Sequence, residues 1–363
     1  MIPLLFEKDS REFTHLGLGA LPSWIEDTIE VVEERNGEFY LQGELPVGAL
    51  HVDQLAIDRI ILAAPAPGKA AQPFRIRRHF KPPEHDTVQV LAQHVSYQLT
   101  ETAIPTYGTE AILPTYATAQ AAMDALMRIA TPDLSEVFTF ESDIVPETAL
   151  PFGMRGDPVN LRAALGGVKG SVVDVFGGEL EWDGWTVRLH KQRGKFVNKP
   201  IRYGQNLESL SFETDVSGLV TGYIGYYRTE GGSVILGETV LASNAGDYAY
   251  PRVVAVDLTE KFADSEYLPT SAQITAATET YRDEQELHTL STSIIINAIP
   301  DDLQNVYLCD TVPVVHPGYN LQQQAKVVKT VFDPIKEQYK EITVGEIQKT
   351  ITDTIAGLLR GVK

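Results

Sequence analysis

Between Glu179 and His190 the chain reads ELEWDGWTVRLH, and few folds accommodate that run. Apolar and polar residues alternate from Glu179 to Trp182 and again from Trp185 to His190, the period of strands with one buried face. Between them lies Asp183-Gly184, a dipeptide that accepts the positive φ angles of a two-residue hairpin loop. The segment therefore reads as a β-hairpin. Trp182 and Trp185 flank its turn and present an aromatic surface to a core or to another subunit. A further strand, Pro200 to Tyr203, follows an exposed basic connection.

The rest of the chain is organised around similar short runs. From Thr28 to Leu99, alternating segments are broken by Asn36-Gly37, Pro65 to Gly68 and Pro82-Pro83, the spacing of a small antiparallel barrel or sandwich. Thr100 to Pro114 is polar and carries prolines, and reads as a boundary. Ala119, Ala122, Met123, Leu126 and Met127 then recur at steps of three and four, which gives a helix one apolar face. Asp157-Pro158 opens a second short helix through Leu165, with Asp157 as N-cap. Phe212 to Tyr227 and Ser233 to Leu241 read as strands, and Ser271 to Leu290 as a charged, exposed helix. The last strands span Ser293 to Ile299, Val306 to Val315, Ala325 to Phe332 and Glu341 to Val344. Val344, Ile347, Ile351, Ile355 and Leu358 then form the stripe of an amphipathic helix, either docked on its own domain or continuing as a trimeric stem.

Composition limits function. A chain of 363 residues holds roughly two to four domains. With 43% hydrophobic and 22% charged residues it is globular rather than disordered. Forty-nine acidic against 30 basic residues give a formal charge of -19, which argues against stable nucleic-acid binding, since that affinity comes from Lys and Arg on phosphates. The opening MIPLLFEKDSREF meets charge too early for a signal peptide, and no apolar run approaches the ~20 residues of a membrane helix. The expectation is a chain made in the cytoplasm, with no membrane insertion.

Candidate chemistry is sparse. His79, His85 and His94 are spaced by six and nine, which fits no common zinc pattern. Asp301-Asp302 and Asp310 could touch a cation, but as paired acids in loops they read first as solvated. Cys309, the single cysteine, excludes an intrachain disulfide and reads as inert packing in the strand VYLCDTVPVV. Metalloprotease, P-loop, nucleophile-elbow and EF-hand motifs are lacking, and 49 acids are too many to single out a glycosidase pair. No catalytic residue, metal site or cofactor is expected.

A longer ordered pattern surrounds the hairpin: Gly170, Ser171, Asp174, Gly177, Gly178, Glu179, Trp182 and Asp183, then Arg193 and Gly194, then Ile201, Arg202, Tyr203, Gly204, Asn206 and Leu207. It resembles the N-terminal hub region of long-tailed bacteriophage tail-tip proteins, the prophage tail endopeptidase or tail-associated lysin family. Phe74 to Arg78 with Val88 to Leu99, Leu308 to Val315 and Ala325 to Gly345 extend the resemblance over most of the chain. Ser291 to Ile299 departs from it, standing where the family often has a proline-containing strand.

The resemblance implies an α+β, multi-domain fold like the central hub of a contractile-phage baseplate, with two small antiparallel β-barrels and α/β insert domains. The first barrel would be residues 1-100. Residues 101-199 would hold the helices and the hairpin, and 200-230 with 291-345 the second barrel. Residues 231-290 would be a strand and helix insert, and 346-363 a C-terminal amphipathic helix. In function it implies a structural hub of the virion tail tip, a homotrimer that closes the tail tube and passes DNA without binding it specifically. An acidic wall suits such passage. Its partners would be the distal tail ring, the tape measure and receptor-binding proteins. These motif residues would maintain the fold, and any endopeptidase domain would lie outside this region. Two other readings stand beside it: a peptidoglycan-degrading enzyme, and a carbohydrate-binding module that uses Trp185, Tyr226 and Tyr227 for stacking.

Overall fold

Strands that alternate apolar and polar residues pair almost entirely antiparallel in the larger part of the molecule. The computed structural model describes the chain apart from residues 82–85, 106–112, 155–157, 203–208, 216–219, 230, 244, 263–266, 285–290, 298–302, 317–320 and 346–363. It falls into two units, one of Met1–Ser211 with Ile294–Glu346, the other built on Phe212–Ser293.

In the larger unit a single antiparallel path runs through Gly19–Ala20, Leu4–Phe6, Ile60–Ala63, Gln72–Phe80, Thr87–His94, Phe39–Pro46 and Glu30–Glu34, then through Leu321–Asp333, Gln338–Gly345 and Ser291–Asn297. The strand Phe39–Pro46 alternates buried residues with half-buried or exposed ones in strict period two. Leu321–Asp333 joins the first hundred residues to the last strands by pairing with Glu30–Glu34, with Val331 opposite Val32. The hairpin strands Glu179–Asp183 and Thr186–His190 form a separate sheet with Thr139–Ser142, which lies parallel to the second. The helix Ala119–Ile129 is capped by Thr118, whose Oγ accepts the Ala121 N–H at 3.1 Å. It buries Ala119, Ala122, Met123, Leu126 and Met127 in the core shared with the hairpin, as its spacing predicts.

The smaller unit is a three-stranded sheet, Val234–Leu241 beside Gly222–Arg228 beside Val253–Asp257, with the helix Ser271–Glu284. The helix lies close because Gly225 stands under it: a Cβ there would sit 2.1 Å from Thr278 Oγ1. No helix among the described residues is long and apolar enough to cross a membrane.

Several expectations are corrected. Most strands of the larger unit lie in one open, branched sheet and no closed barrel is present among the described residues, because Leu321–Asp333 bridges the two regions read as separate barrels. Gly222–Arg228, grouped with the second barrel, pairs instead within the smaller unit. The single strand read over Phe212 to Tyr227 is two, Ser209–Asp215 and Gly222–Arg228. The strand read from Val88 to Leu99 ends at His94, whose ring accepts the Ser96 N–H and starts the 3-10 turn Val95–Glu101. The second helix begins at Leu161, with Asn160 Oδ1 rather than Asp157 as its cap. A third helix, Val172–Phe176, was not expected. The terminal amphipathic stripe beyond Gly345, together with His85, Asp157 and Asp301-Asp302, lies outside the described residues.

His94 is fully buried, stacked on Phe39 at 4.5 Å and edge-on to Phe74. Its Nδ1 accepts the Ser96 N–H at 3.2 Å and its Nε2 lies 3.3 Å from Gln72 Oε1, so the proton belongs on Nε2. Burial, and after it the charge of Arg162, push its pKa well below the usual 6.5. Below pH 6.5 the unfolded chain then takes up a proton that the folded one refuses. Stability should be complete above that pH and fall by up to ~1.4 kcal/mol per pH unit beneath it. Urea unfolding between about pH 7 and pH 5 should show this slope and a His94→Gln variant should lose it; a flat wild-type profile would contradict a buried neutral ring.

Candidate functional site

The motif residues converge on one junction of the larger unit. Ser171 Oγ accepts the Asp174 N–H at 3.3 Å while Asp174 Oδ2 accepts the Gly170 N–H at 2.7 Å, a reciprocal cap that starts the helix Val172–Phe176. Gly177, at φ 71°, ends it. Gly178 has φ 100° and lies so close to the second hairpin strand that a Cβ would stand 2.6 Å from the His190 carbonyl. The hairpin loop is Gly184-Trp185 and not Asp183-Gly184: Asp183 pairs with Thr186 and only Gly184, at φ 54°, is left-handed.

Past the hairpin, Arg193 is the centre of a buried charge cluster. Its Nη2 donates to Glu33 Oε1 at 2.7 Å, its backbone N–H to Glu179 Oε2 at 2.9 Å, and its Nη1 to the Leu180 carbonyl at 3.2 Å. Glu179 also accepts Lys326 Nζ at 2.5 Å and lies 3.6 Å from Arg35. Glu33 and Glu179 are buried. Burial is the largest single influence and works against the Arg193 charge, yet the charge and hydrogen bond of Glu33 together with the other groups around it, Glu181 among them, outweigh it and hold the guanidinium above its usual pKa. Residues from three distant parts of the sequence are thus fastened at one point.

Gly194 then passes under the backbone of Cys309, where an added Cβ would lie 1.9 Å from the carbonyl oxygen. Lys195 donates its N–H to Asp310 Oδ1 at 2.9 Å, and its carbonyl accepts the Thr311 N–H. Ile201–Arg202 continues along the strand Thr311–His316 in parallel, with Ile201 buried and Arg202 exposed. Asp310 is buried, and its Oδ2 accepts the Tyr307 N–H at 3.0 Å. It is not the solvated acid expected, and the turn it holds explains why the strand read from Val306 begins only at Thr311. Tyr203, Gly204, Asn206 and Leu207 lie outside the described residues.

Trp182 is buried, and the Arg162 guanidinium stacks on it at 4.1 Å and on Tyr97 at 4.2 Å. Burial lowers the Arg162 pKa to about 10. Arg162 also donates to Ser96 Oγ and to the Gly37 carbonyl, while Asn36 accepts the Leu180 N–H at 2.7 Å. Glu33, Asn36, Gln72 and Arg162 were not read from the sequence. Only Asn36-Gly37 left a signal, as a turn, and its side-chain reach across the fold left none.

A cleft of about 420 Å³ opens beside this junction, walled by Phe39, Gln72, Trp182, Arg193, Tyr307 and Asp310. Its carboxylates are engaged: Glu33 with Arg193, Asp310 with two backbone N–H groups, Glu181 with His190 at 2.8 Å, and Asp183 with Gln72 and Arg188. Burial alone would raise the Asp183 pKa, but the hydrogen bonds from Arg188 and Gln72 lower it. Each of these carboxylates is thus held by an ion pair or by hydrogen bonds from neighbouring groups. Cys309 is buried at φ 70°, and burial pushes its thiol up to about 12, so it stays protonated and unreactive.

Among the described residues no group of three or more His, Cys, Asp or Glu side chains is placed to hold a metal. His79 is exposed on its strand while His94 is buried in the core, so these two do not converge. Trp185 is half-buried and stacked on Phe13 at 6.0 Å. Tyr226 and Tyr227 are half-buried as well, and as strand neighbours they face opposite sides of their sheet.

The class of fold is that of phage tail proteins. Over 99% of both chains it is similar to the prophage tail protein gp18 of Listeria monocytogenes, with TM-score 0.56 and 15% identity. A tail protein of Neisseria meningitidis is similar over 95% of this chain and 96% of its own, with TM-score 0.57 and 9% identity. The 43 kDa tail protein of prophage MuSo2 from Shewanella oneidensis is similar over 96% and 98%, with TM-score 0.56 and 10% identity. Residues 195–355 match the family model described as prophage endopeptidase tail, in agreement with the resemblance read from the motif. No curated protein matches the chain.

Two glycines separate contact from conformation. Gly194→Ala should destabilise the protein by about 3 kcal/mol or more, since backbone must move. Gly184→Ala, with nothing within 4 Å, should cost about 1 kcal/mol for its left-handed φ alone. Urea midpoints decide it, and equal losses would contradict the close passage at Cys309.

Proposed function

We propose that this chain is a structural hub of a phage or prophage tail tip, one that assembles as a homotrimer with other tail proteins, closes the tail tube and lets DNA pass on infection. The observation that carries this reading is the family match over residues 195–355 joined to a tail-protein fold spanning nearly the whole chain. The junction supports it. Its charges are spent on one another and on backbone groups, which suits a rigid framework better than a reacting centre. The formal charge of -19 is also the sign that lets a polyanion slide past without sticking. The partners are the distal tail ring, the tape measure and receptor-binding proteins, and the location is the virion.

The word endopeptidase in the family description favours a second reading, a wall-degrading enzyme. The engaged carboxylates and the protonated thiol weigh against it in this chain.

Light scattering on a sizing column tests the proposal. The 40.0 kDa chain should elute at about 120 kDa as a cyclic trimer, and a zymogram on cell-wall material should show no clearing. A monomer that clears the wall would replace the hub with the enzyme.

A further inference from the structure

Lys8, Arg11 and Arg75 line a second cavity of the larger unit, about 170 Å³ in volume, with Ser10, Gln98 and Trp185 among its other walls. Their charges are not met by carboxylates. Arg75 uses Nη1 on the carbonyls of Lys8 and Asp58, at 2.8 and 2.9 Å. Its Nη2 and Nε have no acceptor among the described residues. Arg11 donates from Nη1 to the Glu136 carbonyl at 3.2 Å, and Lys8 Nζ has no partner among the described residues. The acids nearest Arg75 in charge, Asp58 and Glu101, pair with Arg77 at 3.8 and 2.9 Å. Asp9 is the one acid in the wall, so three cations against one anion leave two positive charges in excess.

That excess stands out in a chain of formal charge -19. Cations unpaired at one small cavity repel one another, and an anion relieves the repulsion. We propose that this cavity binds a phosphate group. The unengaged N–H groups of two guanidiniums, one ammonium and the Ser10 hydroxyl line the same cavity, a mixed donor set that suits a tetrahedral oxyanion with several acceptor oxygens better than a planar carboxylate. The volume admits one such group, and Trp185 in the cavity wall offers apolar surface for the organic part of a phosphate ester. The phosphate is either the free ion or the ester of a small polyol.

The test is calorimetric titration of the full chain at fixed ionic strength with inorganic phosphate, glycerol 1-phosphate and acetate. Phosphate should bind at one saturable site, and Lys8→Ala or Arg11→Ala should each weaken it roughly tenfold, a change of about 1.4 kcal/mol. Both residues are exposed, so unfolding midpoints without phosphate should stay at the wild-type value. Tighter binding of glycerol 1-phosphate would assign the ester, and preference for inorganic phosphate the free ion; both support the site. Absence of saturable binding, binding unchanged in both variants, or acetate binding as tightly as phosphate would overturn it.

Discussion

A buried guanidinium needs its charge answered, and in this protein the answer brings the fold together. Moving Arg193 out of water costs several kcal/mol, and only carboxylates and carbonyls at close range offset that. Glu33 lies on a strand of the first hundred residues, Glu179 and Leu180 on the hairpin, and Lys326 on the long strand near the other end of the chain. The cluster is complete only when all three segments are in place. Apolar burial supplies most of the stabilisation in a core of this size, but it is non-directional. The ionic cluster fixes which segments meet and in what register.

From this point the rest of the larger unit follows. Once Arg193 is held, Gly194 must pass beneath Cys309, Lys195 meets Asp310, and the chain enters the parallel pairing of Ile201–Arg202 with Thr311–His316. On the other side, Asn36 clamps the hairpin strand and Arg162 packs between Tyr97 and Trp182. In the role proposed above, the protein would have to keep its shape while other tail proteins press on it. A framework whose polar groups are cross-linked over long sequence separations resists local opening better than apolar packing alone.

Local features were legible in the sequence and long-range ones were not. The hairpin, the apolar face from Ala119 to Met127 and the alternating strands follow from period and turn chemistry, which act over a few residues. Even there the loop was placed one residue early, because Asp183 has turn chemistry yet pairs as a strand residue through Gln72 and Arg188. The helix Val172–Phe176 was legible in Ser171 and Asp174 as a capping pair but was read only as motif. Alternation could say that Glu30–Glu34 and Leu321–Asp333 are strands, never that they pair with each other. That contact turned two expected barrels into one open, branched sheet. Of the charge cluster, Glu179 and Arg193 stood in the motif, while Glu33 and Lys326 looked like any surface charge, since burial of a Glu is decided by partners far away in the chain.

The measurement that tests this account most directly is a double-mutant cycle on Glu33→Gln and Arg193→Met, read by urea unfolding. Each single change should cost about 3–5 kcal/mol by leaving the other charge buried and unpaired. The double variant should cost little more than either single one, so that the coupling is a large part of the loss. Losses that add, with a coupling under about 0.5 kcal/mol, would show that the two residues act independently and that Arg193 does not hold the fold together.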